Sequence, residues 1–123
     1  MKILAIDPGT EQSAWCIFET VGTKDHPIQF GQNVNEDLVK HLDYARPWSR
    51  ELPDLLVIEM IKSYGNVMGD SVLQTCVWIG RFIQSWGARP YELIPRKRIV
   101  TQFCVNPRAN DANVRQALID RWG

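Results

Sequence analysis

Cysteine and histidine are scarce in this 123-residue chain, which holds three of the first and two of the second. Cys16, Cys76 and Cys104 are odd in number, widely spaced and form no C-x-x-C pair, which argues against a disulfide framework and against a thiolate zinc site. Reduced, mostly buried thiols are the expectation. His26 and His41 fall in segments that read as surface strand and surface helix, so histidine chemistry has little to start from. No apolar run approaches the roughly 20 residues needed to span a bilayer, and the opening run is too short for a signal peptide and ends in an acid. A cytoplasmic location without a membrane partner follows as the expectation. Repeats, low-complexity tracts and linkers are also missing. With 45% hydrophobic and 23% charged residues, the chain reads as one globular domain of ordinary composition.

The zero net charge hides an asymmetry. Residues 1–80 carry six Lys or Arg against eleven Asp or Glu, and residues 81–123 carry eight against three, so the two portions stand at −5 and +5. A basic tail of this size suits phosphate contact and is also common in proteins that never meet nucleic acid.

What is present is most informative at two strand ends. The apolar run Met1-Lys2-Ile3-Leu4-Ala5-Ile6 ends in Asp7, followed by Pro8-Gly9-Thr10, and Leu55-Leu56-Val57-Ile58 ends in Glu59. A strand-terminal Asp often does no more than satisfy the N–H groups of the turn that follows. Two buried strands that each end in an acid, placed side by side, instead bring two carboxylates together on rigid elements.

Around them the expected order is strand, strand, strand, helix, strand, helix, strand, helix. The first three strands cover Lys2–Asp7, residues 13–19 and residues 27–32, with Gly9 and Gly22 in the turns. Asn35 can cap a helix with Leu38, Leu42 and Ala45 on one face, ended or bent by Pro47. A longer helix spans Asp70–Trp86, closed by Gly87. Its apolar side chains exceed one stripe: Val72, Cys76, Ile79, Ile83 and Trp86 form one face, Leu73, Val77 and Gly80 widen it on one side, and Trp78 with Phe82 extends it on the other. That excess points to a homodimer contact through Trp78 and Phe82, or else to cover by the following helix. Residues 91–94 read as the last strand and Pro95-Arg96-Lys97-Arg98 as a basic turn. The final helix runs from about Asp111 to Trp122, with Val114, Leu118 and Ala117 inward.

Three leading antiparallel strands followed by alternating helices and strands resemble the ribonuclease H-like fold, an α/β fold whose mixed five-stranded sheet is flanked by helices. The segments Ile3-Leu4-Ala5-Ile6-Asp7-Pro8-Gly9-Thr10, Leu56-Val57-Ile58-Glu59, Ile94-Pro95-Arg96-Lys97 and Asn110-Asp111-Ala112-Asn113-Val114-Arg115-Gln116-Ala117-Leu118 resemble, in this order, the RuvC-type Holliday junction resolvases, and most of all the short forms carried by bacteriophages. The likeness covers nearly the whole chain. D-P-G-T by itself is unspecific, since sugar-kinase and actin-like phosphate loops begin in a similar way.

The resemblance implies an endonuclease of DNA recombination and repair that nicks branched DNA in symmetric pairs and works as a homodimer. It implies a two-metal site, with Asp7 bridging the ions and Glu59 binding one of them. Magnesium, with manganese as a substitute, suits carboxylate and water oxygens held on strands. Lys62, Arg96, Lys97, Arg98, Arg108 and Arg115 are the candidate phosphate contacts, and Tyr64 is placed to stack on an unpaired base. Two departures stand out. Family members add one or two acids from a last helix packed near the first strand, and this chain is expected to be a single domain, residues 1–123, without that helix. Asp111 reads as a helix-capping acid and Asp120 as an outer-face acid, so neither is expected among the ligands. Asn110 stands where the motif usually offers a base. A same-fold RNA-processing nuclease and a non-catalytic junction-binding protein are the alternatives. A phosphate-binding kinase or ATPase relative would need a second Gly-rich loop, which does not follow Glu59.

Overall fold

Alternation of side chains builds the sheet. In β1 (Lys2–Asp7), Leu4 and Ile6 are buried and Asp7 is exposed, and in β2 (Gln12–Val21) the buried set is Ser13, Trp15 and Ile17. The two strands pair antiparallel with Leu4 opposite Ile17 and Ile6 opposite Trp15, so their core residues meet. Gly22, with φ +61°, turns the chain into β3 (Lys24–Val34). These two strands are longer than expected, because pairing continues from Gln12 opposite Val34 to Val21 opposite Lys24, with a bulge near Ile17 and Phe18. This computed structural model describes residues 1–44, 53–62, 65, 67–99 and 111–122.

β4 (Leu55–Met60) lies parallel to β1, with Leu4 opposite Leu56 and Ile6 opposite Ile58, and β5 (Tyr91–Pro95) lies parallel to β4. The strand order is β3-β2-β1-β4-β5, the mixed five-stranded sheet expected from the sequence. One face carries the core. Leu4, Ile6, Trp15, Ile17, Leu56 and Ile58 meet Leu38 and Leu42 of α1 (Asn35–Tyr44) and Ile79, Phe82 and Trp86 of α2 (Asp70–Trp86).

The bounds of α2 are those expected; its orientation is not. The buried residues are Thr75, Ile79, Phe82 and Trp86, spaced four, three and four apart, so the helix is rolled toward the Trp78 and Phe82 side. Phe82 is 0% exposed and sits inside the core of its own chain, which removes it from any dimer interface. Trp78 packs partly buried against that core, 6.2 Å from the Phe82 ring, with the Arg81 guanidinium 4.2 Å from its own ring centroid. The apolar surface left over is on the other side of the helix, at Leu73 (52% exposed) and Val77 (63%).

The helix ends at Gly87, φ +83°, whose N–H donates to the Ile83 carbonyl. Arg89 then joins the two helix ends: Nε donates to the Trp86 carbonyl at 3.1 Å, Nη2 to the Leu42 carbonyl at 3.2 Å, and the guanidinium stacks 3.6 Å above the Trp86 ring. One cation of the basic portion is therefore structural.

The final helix, α3 (Asp111–Trp122), has the expected bounds, but Leu118 is 36% and Ile119 44% exposed while Ala117 is half-buried. Leu118 is thus not the inward anchor expected; the side chain of Val114 and residue Ala45 lie outside the described ones. Residues 96–99 are helical, where a basic turn was expected. Cys16 and Cys76 are free and half-buried, less enclosed than expected, and burial pushes the Cys16 thiol up. Cys104 lies outside the described residues. His26 is exposed, as expected, whereas His41 is half-buried. Among the described residues no helix is long and apolar enough to cross a membrane.

Candidate active site

Strand parity aims the acids. Because Leu4, Ile6, Leu56 and Ile58 point to the helical layer, Asp7 and Glu59 project from the opposite face of the sheet. The last paired residues of β1 and β4 are Ile6 and Ile58, so Asp7 and Glu59 are the next step of two parallel strands spaced about 4.8 Å apart. They stand next to one another at the carboxyl end of the sheet's centre.

Their proximity is felt electrically. Glu59, with 21% of its side chain exposed, is held above the ordinary glutamate range first by burial and then by the negative charge of Asp7. Arg96, whose Nη1 lies 3.7 Å from Glu59 Oε1, works in the opposite direction without winning. A carboxyl raised in the folded state stabilises the fold below its unfolded value and loses that contribution as pH rises through the folded value. Glu59→Gln should accordingly raise Tm at pH 7 by a few degrees, roughly 2–5 °C, and the gain should shrink as pH falls toward 4. Thermal melts of both proteins at the two pH values check this; an equal or lower Tm for the variant at pH 7 contradicts it.

Beneath Asp7 lies a closed ring of hydrogen bonds. The Gly9 N–H donates to Ser13 Oγ at 3.1 Å, the Ser13 hydroxyl donates to Asn35 Oδ1 at 2.6 Å, and Asn35 Nδ2 donates to the Gly9 carbonyl at 2.9 Å. Ser13 is 1% and Asn35 0% exposed, so neither side chain has water as a substitute. The Asn35 N–H also donates to the Glu11 carbonyl at 2.8 Å. The loop that follows Asp7 is in this way fastened to the start of α1. A Cβ on Gly9 would collide with the Gln12 carbonyl oxygen, which restricts that position to glycine. Asn35 thus fastens this loop with its side chain, a different use from the helix cap expected of it. The signal in the sequence was Ser13, a small polar residue at a buried parity position beside Trp15 and Ile17, which needs a partner.

β1, β4 and β5 are parallel, so the segments leaving them emerge at one edge. Lys62, Arg96, Lys97 and Arg98 are exposed there, past the ends of β4 and β5. Arg115 is exposed on α3, but the far end of that helix is tied by Arg121 to Asp25, with an Nη2 to Oδ2 distance of 3.1 Å. Asp25 pairs with Thr20 at the edge of the sheet remote from Asp7, so Arg115 is not brought to the acids. Tyr64, Arg108 and Asn110 lie outside the described residues, and so does the side chain of Asp111. Asp120 is exposed and accepts from Gln116 Nε2 at 2.8 Å on its own helix.

The donor set fits a hard divalent cation. Magnesium is commonly held by one or two carboxylates with water and phosphate oxygens completing its shell, and Asp7 and Glu59 supply two carboxylates on rigid strands. Among the described residues no group of three or more His, Cys, Asp or Glu is placed to hold a metal ion, so a second ion would need donors from elsewhere.

By sequence the chain matches no protein-family model and no curated protein. By structure it is similar to Thermus thermophilus RuvC in complex with a Holliday junction substrate, with a TM-score of 0.77 and 12% identity over 100% of this chain and 80% of that one. A second Thermus thermophilus RuvC structure gives 0.68 at 11% identity, covering 98% of this chain and 79% of that one. The fowlpox virus resolvase in complex with Holliday junction DNA gives 0.52 at 20% identity, covering 98% and 72%. At such identities the likeness is one of fold, and that fold is ribonuclease H-like.

Proposed function

We propose that this chain is a structure-specific endonuclease that resolves four-way DNA junctions by metal-dependent phosphodiester hydrolysis, leaving paired symmetric nicks. The observation that carries the reading is Asp7 beside Glu59 at the carboxyl ends of β1 and β4, in a fold shared with two Holliday junction resolvases. Bound magnesium, with manganese as a substitute, would supply Lewis-acid polarisation of the phosphate and a nucleophile near neutral pH. Asp7 and Glu59 would hold the cation, with their carboxylates kept in place by β1, β4 and the Ser13–Asn35 ring. Lys62, Arg96, Lys97 and Arg98 neutralise phosphates along the same edge.

Symmetric cutting of a four-way junction needs two sites related by a two-fold axis, hence a homodimer. The outer stripe of α2, with Leu73, Val77 and Gly80, is the surface we assign to it in place of Phe82; an added Cβ at Gly80 meets open space. Sedimentation should show a dimer at micromolar concentration, and Leu73→Glu with Val77→Glu should leave a folded monomer. A monomeric parent protein would contradict the dimer.

Junction preference is read with magnesium replaced by calcium, so that binding is scored without cutting. A mobile four-way junction should bind at least about tenfold tighter than linear duplex of the same sequence, a difference of about 1.4 kcal/mol. Equal binding to duplex would overturn the proposal, and tighter binding to structured RNA would move it to the RNA-processing alternative.

A further inference from the structure

Arg96 reaches the acidic pair: Nη1 is 3.7 Å from Glu59 Oε1, while 46% of its side chain stays exposed. It follows β5 directly, and β5 pairs with β4 so that Glu59 is opposite Ile94. The helical segment 96–99 therefore starts two residues past the strand position beside Glu59, and Arg96 is its first residue. The neighbouring Arg98 is also exposed. Arg96 occupies a place in the site that a phosphate-contact role alone does not explain.

We infer that Arg96 is a displaceable counter-ion: it holds Glu59 when no metal is bound, competes with the metal for that carboxylate, and moves to substrate phosphate once the metal takes its place. The inference rests on the reading of Asp7 and Glu59 as metal ligands. Two features favour it. The ion pair is long and half-exposed, so it breaks at little cost, unlike a short bidentate clamp. The exposure of Arg96 also leaves it a path to solvent and to a bound backbone phosphate at the same sheet edge. Arg96 is in this sense a positioning residue that couples metal loading to DNA binding. Whatever cation releases it from Glu59 makes it available to phosphate, and by reciprocity phosphate binding must favour metal binding through the same residue.

Calorimetric titration of manganese into the protein without DNA tests this directly, with Arg96→Gln and Arg98→Gln each checked for the parent circular dichroism spectrum. An exposed ion pair is worth up to about a fivefold change in an equilibrium constant. Arg96→Gln should therefore bind manganese about fivefold tighter than the parent, while Arg98→Gln stays within about twofold. Unchanged or weaker affinity in Arg96→Gln overturns the inference and leaves the ligands standing. Equal tightening in both variants also overturns it, because the effect would then be one of general charge. If neither the parent nor Arg96→Gln takes up manganese, or if uptake survives Asp7→Asn combined with Glu59→Gln, the ligand reading itself fails and this inference falls with it.

Discussion

Truncation of Phe82 to alanine is expected to destabilise the protein by about 4 kcal/mol, the usual scale for removal of a fully buried phenylalanine ring. The ring is 0% exposed and belongs to the cluster formed by the sheet, α1 and α2, so its loss leaves a cavity that the surrounding strands and helices fill only in part. Small domains are stable by only about 5–15 kcal/mol, which makes this a large fraction of the total. The folded fraction should sediment as the parent does, because the ring faces the interior of one chain. Urea unfolding midpoints and sedimentation together decide it. A midpoint shift equivalent to less than about 0.5 kcal/mol, the range of ordinary surface changes, would place Phe82 outside the core.

Asp7→Asn should reduce metal-dependent junction cleavage by a factor on the order of 100 to 1,000, the scale at which a single charge-stabilising group acts, while leaving junction binding in calcium nearly unchanged. Asparagine preserves the shape of the strand end and the ring of Gly9, Ser13 and Asn35 beneath it, but not the charge that a cation requires. The substitution also removes the negative neighbour that helps hold Glu59 above its ordinary range, so the Glu59 carboxyl should ionise more readily in the variant. Single-turnover rates with excess protein, scored beside gel-shift affinities, separate the two effects. Equal loss of binding and cleavage would mean that Asp7 organises the fold and not the chemistry.

Much of this arrangement is legible in the sequence because strands have a period of two and end where the apolar run ends. Leu4 and Ile6 in one strand and Leu56 and Ile58 in another fix which side Asp7 and Glu59 take, and the parallel pairing brings the acids together. The limits of α2 were equally readable, from Asp70 to the positive-φ glycine after Trp86. Its roll was not. With nearly every side an apolar candidate, a turn of the helix by one residue exchanges Phe82 for Leu73 or Val77 as the exposed group, and only packing against Leu38 and Leu42 decides. The contacts of Arg96 with Glu59 and of Arg89 with two helix ends were hidden for a different reason: long cations read as solvated charge until the fold shows what lies within their reach. The Ser13–Asn35 contact joins residues 22 apart, a separation that no local pattern reports.

The measurement closest to the central claim is incubation of the parent protein with magnesium and a mobile four-way junction labelled on each strand in turn, with Asp7→Asn alongside. Nicks at symmetry-related positions in two opposing strands, dependent on magnesium and lost in the variant, are the predicted result. Tight junction binding with no magnesium-dependent nicks in any strand would contradict it and leave Asp7 and Glu59 as structural acids at the ends of two strands.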